Sequence, residues 1–343
     1  MALDRRRSPF GAFFSLLWTV AFVGLAAGVF ALWEMHRSGP LARDVVFVVE
    51  RGDGVMEIGR TLEREGVIRN AWVFRAAAEL YAKPGALKAG EYMAAPGETL
   101  RSILEKIEAG KMRLFPITVA EGLTSDMILD IVKNSDVLTG EVTVTTLPEG
   151  SLLPETYMVM RGMDRMALLE RMRTDQQKLI DNLWPKRAAN LPFKTPQEAI
   201  TLASIVEKET GVASERPRVA AVFVNRLRQG IPLQSDPTII YGITRGRPLG
   251  RGIRKSELER RTPYNTYFIP ALTPTPIANP GREAIAAVLN PPSTNELFFV
   301  ADGTGGHVFA ATLEEHNRNV ANWREVEKQR AAASTAASDS ARP

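Results

Sequence analysis

Thr195-Pro196-Gln197-Glu198-Ala199-Ile200-Thr201-Leu202-Ala203-Ser204-Ile205-Val206-Glu207-Lys208-Glu209-Thr210 is the stretch that fixes the reading of the larger part of this chain. Thr195 is a helix cap, Pro196 suits the first helical position, and Glu198 completes a capping box. The helix should run to Thr210, with Gly211 as its stop. At 100° per residue, Ala199, Leu202, Ala203 and Val206 share a core face, and Gln197, Thr201, Ser204 and Lys208 share a wet one. Glu207 and Glu209 fall on the two borders. A border carboxylate beside apolar neighbours is partly desolvated, which raises its pKa and keeps it protonated near neutral pH. A protonated carboxyl in a groove suits proton donation to a leaving oxygen. The wheel nominates both carboxylates and does not choose. The plainer alternative is a last helical turn whose charges pair with nearby Arg.

Outward from this helix, a second one fits Glu215 to Gln229, with Gly230 ending it. Pro and Gly are then dense from Ile231 to Pro292, which predicts long ordered loops with few regular elements. Leu297–Ala301 and Val308–Ala310 read as a hairpin around Asp302-Gly303-Thr304-Gly305-Gly306, followed by a helix from about Leu313. Upstream, Leu114–Val119 is a strand, Glu121-Gly122-Leu123-Thr124 a turn into a helix, and Met163–Trp184 a long amphipathic helix. The larger domain is thus α+β, over residues 113–328. A smaller α+β module covers 45–112. Val45–Val49 is a buried-strand candidate, two helices follow, Leu87–Met93 is a strand, and Leu100–Ile107 is a helix that Gly110 ends.

Phe10 to Trp33 contains no charged residue. It is long enough for a bilayer core, which takes roughly 20 helical residues. Arg5, Arg6 and Arg7 precede it and place residues 1–9 on the cytoplasmic side. The sequence therefore predicts a single transmembrane helix over 10–33, a polar connector over 34–44, and an extracytoplasmic remainder. A cleaved signal peptide is the competing reading, but its apolar region is usually only about 7–15 residues. Residues 329–343 become small and polar and read as a disordered tail.

The chain has 343 residues, a net charge of +4, no cysteine and three histidines. That excludes thiolate chemistry and disulfides, argues against a multi-His metal site, and is too weakly basic to indicate nucleic acid. No cofactor is expected. Leu233-Gln234-Ser235-Asp236-Pro237-Thr238 offers amide, hydroxyl and carboxylate groups on a turn. Tyr241 and Tyr264-Asn265-Thr266-Tyr267 add aromatic faces and an amide, as carbohydrate grooves do. Such a loop can instead satisfy only its own backbone. Asn225, mid-helix against its propensity, either binds a ligand or caps a loop. Asp302 and a lone His307 flank the Gly-rich hairpin, and the histidine reads as structural. Seven basic residues between Arg245 and Arg261 could meet an anionic polymer or lipid head groups; the alternative is a solvated loop.

Several spaced motifs together resemble the YceG-like family of bacterial endolytic murein transglycosylases. They are Ala203 to Thr210, Ser214-Glu215-Arg216, Asn225-Arg226-Leu227, Leu233 to Thr238, Tyr241-Gly242, Tyr264 to Tyr267, Asn279-Pro280-Gly281 and Phe299 to Gly303. Glu149-Gly150, Pro154 to Tyr157 and Gly90-Glu91-Tyr92 extend the match. The resemblance implies that the small module is LysM-like and glycan-binding, and that the larger domain is catalytic. It implies a membrane-anchored enzyme of the inner membrane that works on nascent peptidoglycan strands beside the wall synthases. The reaction would cleave the bond from N-acetylmuramic acid to N-acetylglucosamine. The sugar's own C6 hydroxyl would attack, leaving a 1,6-anhydro end without metal or water nucleophile. It implies that the first Glu of Glu-Lys-Glu, Glu207, is the acid/base. The expected substrate-binding set is Asn225, Gln234, Ser235, Asp236, Thr238, Tyr241, Tyr264, Asn265 and Tyr267. One departure is Thr275 in Pro274-Thr275-Pro276-Ile277, where the family usually has Gly.

Two other functions fit the residues less fully. A water-using muramidase needs a second carboxylate, for which Asp236 is the candidate. A tethered glycan-binding scaffold would leave the border carboxylates of the capped helix without a role.

Overall fold

The structure is a computed structural model and describes residues 9–340, with side chains described for 13–330. Arg5, Arg6 and Arg7, on which the membrane orientation rests, lie outside the described residues, as do 341–343. The chain divides into two compact units. One holds the described residues up to Phe115 together with Met158–Gly162; the other holds Pro116–Tyr157 and everything from Met163 on.

In the first unit, helix α1 (Pro9–His36) is followed by β1 (Val45–Val49), α2 (Val55–Arg64), α3 (Ala71–Tyr81), β2 (Gly90–Ala94) and α4 (Leu100–Ala109). Strands β1 and β2 pair antiparallel, with Phe47 opposite Tyr92. These two rings stack at 5.5 Å in a core with Leu62, Phe74, Ile103 and Ile107. The sequence suggests a strand buried on both faces at Val45–Val49. Instead Val46 and Val48 are exposed, because a two-stranded sheet with helices on one side leaves the other side wet. Side chains set the helix ends: Asn70 caps α3, Thr99 caps α4, and Gly110 closes α4 in the left-handed region.

Helix α1 continues through His36, three residues past the expected end at Trp33. Its large apolar side chains from Phe13 to Trp33 are exposed. Glu34 and Met35, expected in a polar connector, are buried in the core of this unit. Glu34 is neutralised there by Arg37 at 3.0 Å, with Arg69 at 3.9 Å.

The second unit runs β3 (Leu114–Thr118), α5 (Ser125–Asn134), β4 (Leu138–Thr139), β5 (Thr156–Met160), β6 (Met163–Asp164) and α6 (Arg165–Leu183). It continues through α7 (Pro196–Glu209), α8 (Arg216–Arg228), α9 (Asp236–Thr244), α10 (Lys255–Leu258) and α11 (Arg282–Leu289). A hairpin, β7 (Phe298–Ala301) with β8 (His307–Ala310), and α12 (Leu313–Ser340) complete it. Strand β3 pairs with β5, and the division between the units falls within these two strands. Strands β4 and β6 pair parallel. Helix α12 continues past position 329, where the sequence suggests disorder. Alanine-rich sequence has high helix propensity, so polarity alone is a poor stop signal.

Helices α7, α8 and α11 pack on one another and form the core of this unit. Helix α11 and α9 both lie in the region expected to be loops. Pro and Gly at their starts mask short helices: Pro237 sits in the first turn of α9, and Gly281 caps α11.

The predicted capping box of α7 is present, with Thr195 and Glu198 bonding each other's backbone. The predicted wet face is present only at its two ends, where Gln197 and Lys208 are exposed. Every residue from Ala199 to Val206 is buried, Thr201 and Ser204 included. Their hydroxyls vanish into the helix: Thr201 donates to the Gln197 carbonyl at 2.9 Å and Ser204 to that of Thr201 at 2.7 Å. Ser204 Oγ also accepts the Ile277 amide at 2.9 Å. Ser204→Ala should orphan that buried amide and destabilise the protein by roughly 1–3 kcal/mol, read by chemical denaturation. An unchanged midpoint would mean that the amide finds another partner.

Candidate active site

Because α7 is buried through its middle, its carboxylates lie at its ends: Glu198 is spent on the capping box, and Glu207 and Glu209 emerge in the last turn in different surroundings. Glu207 lies in a charged knot. Its Oε1 accepts from Arg216 Nη2 at 3.2 Å, and the same nitrogen reaches Glu121 Oε2 at 3.0 Å. Its Oε2 accepts the Gly281 amide at 2.9 Å. Only 4% of its side chain is exposed. Burial raises its pKa, and the Glu121 charge adds to that, against the opposing bonds from Gly281 and Arg216. A Cβ at Gly281 would stand 1.7 Å from Glu121 Oε1, so a larger residue there would displace that carboxylate from Arg216.

The loop carrying Gly281 is anchored by Asn279, which is fully buried. Its amide accepts from Leu152 N at 3.0 Å and donates to Leu123 O and Ser125 Oγ, each at 3.1 Å. Lys208 reaches across to the Gly122 carbonyl at 3.2 Å. Both carboxyl oxygens of Glu207 are therefore committed to the protein itself.

Glu209 faces the other way. Its Oε2 accepts from Ser235 Oγ at 2.7 Å, and no other group among the described residues hydrogen-bonds its second oxygen. Burial pushes its pKa up to about 7, with the Asp236 charge adding to the rise and Ser235, His307 and Arg226 opposing it. Around it stand most of the residues the sequence nominates. Gln234 and Ser235 are stitched through their amides to Thr266, at 2.9 and 3.0 Å. Asp236 is exposed and accepts from Tyr267 OH at 2.7 Å. Gln234 is exposed and sits at φ 53, a left-handed position that turns its backbone sharply.

Other nominated residues spend their groups on the scaffold. Thr238 donates to the Ser235 carbonyl at 2.6 Å. Asn265 donates to the carbonyls of Leu258 and Arg260, both at 2.8 Å, and accepts from Tyr267 N. Asn225 donates to Thr294 O and Glu296 O at 2.8 and 3.1 Å, which is loop capping. Tyr241 and Tyr264 meet at 5.1 Å between centroids, one turn further along α9. Tyr264 OH also pairs with Thr275 Oγ1 at 2.9 Å, a bond that a glycine at 275 would not supply. Thr275 is not in the left-handed region, so the position does not demand glycine.

Two groups were not nominated. Arg226 is buried beneath the Glu209 loop and donates to the carbonyls of Leu233 and Leu297 at 2.8 and 2.6 Å. Its signal is legible in hindsight: it follows Val219, Val222 and Phe223 at helical spacing, so a cation occupies the core stripe of α8. Glu149 accepts from Ser125 N at 2.9 Å and from Tyr241 OH at 3.4 Å, and burial raises its pKa. It borders a cleft of about 680 Å³ shared with Gln176, Arg173, Gln197 and Ile200.

His307 is structural, as read: it is clamped on Glu215, through its backbone amide at 2.8 Å and Nδ1 at 2.7 Å. The basic stretch is largely spent locally. Arg247 pairs with Asp130 at 2.9 Å, Arg251 with Glu257, and Lys255 with Glu259, while Arg245 and Arg261 lie over Tyr241 and Phe268. That favours the solvated-loop reading.

The sequence profile of the YceG-like family matches residues 47–322. A relative from Streptococcus pneumoniae strain D39, named endolytic murein transglycosylase, is 30% identical over 321 residues, covering 80% of this chain and 57% of that protein. One of the same name from Bacillus subtilis strain 168 is 29% identical over 301 residues, covering 79% and 82%. The chain thus spans just over half the length of the pneumococcal relative. The crystal structure of a YceG-like protein from Listeria monocytogenes is similar at a TM-score of 0.51 and 26% identity, covering 81% of this chain and 99% of that one.

Proposed function

The chain belongs to the YceG-like family, and on that premise we propose that it is a membrane-anchored endolytic lytic transglycosylase. Its substrate would be the nascent glycan strand of peptidoglycan, cut with formation of 1,6-anhydro-N-acetylmuramic acid ends. We assign the acid/base to Glu209. The resemblance pointed to Glu207, the first Glu of the motif. Geometry argues for the second. The observation that carries the assignment is a carboxyl with a pKa near 7, one oxygen held by Ser235 and the other unbonded, among Gln234, Asp236 and Tyr267. Both residues are largely buried, but Glu207 has both oxygens bonded within the protein.

The chemistry follows from that environment. A carboxyl protonated near neutral pH donates to the glycosidic oxygen as the bond breaks. The resulting carboxylate then accepts the proton of the C6 hydroxyl as that oxygen closes on the anomeric carbon. Ser235 fixes the carboxyl's orientation through both steps. Asp236 and Tyr267 would hold sugar hydroxyls and the half-buried Tyr264 would supply an aromatic face, while Tyr241, buried beneath it, supports that ring. Asn225, Thr238 and Asn265 shape the loops that present these groups. Helix α1 serves as the single-pass inner-membrane anchor, N-terminus inside, on length and composition. The small module is taken as LysM-like and glycan-binding, and wall synthases as partners, on family resemblance.

The test is digestion of uncrosslinked glycan by the full chain in detergent, with mass analysis of the new ends. Anhydro ends, lighter by one water than reducing ends, support the proposal. Reducing ends would make the protein a muramidase with Asp236 as second carboxylate, and an uncut strand would leave a glycan-binding scaffold.

A further inference from the structure

The two most exposed large apolar side chains described outside α1 are Leu80, at 77%, and Trp72, at 66%. Both lie on α3. With Ala76 between them they form a stripe at spacing of four residues on the side of the helix away from the core. Burying Val73, Phe74, Ala77 and Ala78 on the opposite face accounts for the fold of α3 and leaves this stripe without a structural role. Exposed Trp and Leu aligned on one helix face mark a surface with an apolar partner.

The position of α3 indicates which partner. Helix α1 packs against α3 and α4. At the start of α3, Arg69 donates to the Ser38 carbonyl at 2.9 Å, two residues past the end of α1, and stands near Glu34. At its other end, Tyr81 lies 5.0 Å beneath the guanidinium of Arg101 in the first turn of α4. The turn before α4 is tied to the same place: the Gly97 carbonyl accepts from Gly39 N at 3.3 Å and Ser38 Oγ at 3.2 Å. The start of α3 is thus fastened to the segment just beyond α1, and its end to the first turn of α4, whose preceding turn is tied to that same segment, so α3 is held beside the exit of α1. Trp33, exposed with Arg37 stacked over it at 4.4 Å, marks that exit as an interfacial level. The charges beside the stripe suit a headgroup region. Glu79 is neutralised by Arg75 at 2.7 Å and Glu105 by Arg101 at 2.8 Å, so no unpaired carboxylate of these pairs faces an anionic surface.

We infer that α3 lies in the interface of the same bilayer that α1 crosses, with Trp72, Ala76 and Leu80 inserted among the headgroups. The inference rests on the membrane-anchor reading of α1. The occupant of this face is lipid. The small module is then a second, peripheral contact with the membrane that holds it flat against the surface, not a domain swinging on a tether.

The chain has no cysteine, so single sites can be labelled without altering it further. Ala76→Cys, which keeps both Trp72 and Leu80, is spin-labelled in the full chain and reconstituted in phosphatidylethanolamine–phosphatidylglycerol vesicles. Depth is read from relative collision with oxygen and a water-soluble nickel complex, with Leu25→Cys labelled separately to report the span. The inference expects the label at 25 in the bilayer core and that at 76 at headgroup depth. It also expects Trp72→Lys with Leu80→Lys to shift the label at 76 into water. A core signal at 25 with a fully aqueous signal at 76 in the otherwise unchanged chain overturns the inference and leaves the anchor intact. An aqueous signal at 25 overturns the anchor reading and this inference with it. A label at 76 whose depth is unmoved by the double lysine change refutes the role of the stripe.

Discussion

Glu209→Gln is expected to lower turnover on uncrosslinked glycan by about 10²–10⁴-fold, the usual contribution of a general acid–base group. Glu207→Gln should stay within about tenfold of the parent, the effect of a perturbation of roughly 1.4 kcal/mol. The difference comes from commitment. Glu207 bonds Arg216 and Gly281 through its two oxygens, whereas Glu209, itself largely buried, keeps one oxygen unbonded. Gln at 209 still accepts from Ser235, so the loop should hold and the loss should fall on the proton.

Two pH measurements accompany this. The acid works protonated, so kcat/KM should fall as pH rises through about 7, the pKa to which burial pushes Glu209. Stability carries the same signature. A carboxyl whose folded pKa lies above its ordinary 4.5 contributes stability that is fully present below 4.5 and lost as pH rises through about 7. Glu209→Gln does not titrate, so the parent should lose on the order of 3 kcal/mol relative to the variant across that window. The comparison is made by chemical denaturation at pH 4.5 and pH 8. Abolished cleavage in a well-folded Glu207→Gln, with Glu209→Gln still active, would return the acid/base to the first Glu of the motif.

Arg216→Ala is expected to destabilise the protein by roughly 3–5 kcal/mol at pH 8, the cost of removing one partner of a buried ion pair. Among the described residues, Arg216 alone is paired with both Glu207 and Glu121. Without it, two carboxylates stand together at the Gly281 loop, and one has almost no contact with water. The penalty should shrink as pH falls, because protonating Glu207 relieves both its burial and its repulsion from Glu121. Denaturation midpoints of the parent and Arg216→Ala at pH 5 and pH 8 check this. Equal midpoints at pH 8 would mean that the Arg216 bridge contributes no more than a surface pair.

Much of the chain was legible from local pattern. The capping box at Thr195, the stops at Gly110 and Gly230, the hairpin around Asp302–Gly306 and the length of the apolar helix are set by residues within a few positions of one another. Local sterics and backbone hydrogen bonding decide such features. The sequence also nominated Glu207 and Glu209 as carboxylates at a helix border, and it nominated the Gln234–Thr238 and Tyr264–Tyr267 loops as polar surfaces.

Contacts between residues far apart in the chain decided the rest. Thr201 and Ser204 look wet on a wheel, yet both are buried, because α8, α11 and the Ile277 strand of chain surround α7 from elements that a wheel does not contain. For the same reason periodicity could not rank the two glutamates. Their helical positions are nearly equivalent. Arg216 and Gly281 reach one, while Ser235 and the Tyr267 loop reach the other. A carboxyl's pKa and freedom are set by what surrounds it, and here those surroundings come from far along the chain: Gly281 is 74 residues from Glu207 and Ser235 is 26 from Glu209. The amino-acid sequence by itself determined the elements outside the Pro- and Gly-rich region, the family and the shortlist of groups, whereas α9 and α11 became visible only in the fold. Only the tertiary structure decided which groups reach each carboxyl, Arg216 and Gly281 at Glu207 and Ser235 at Glu209, because those groups come from other elements of the fold.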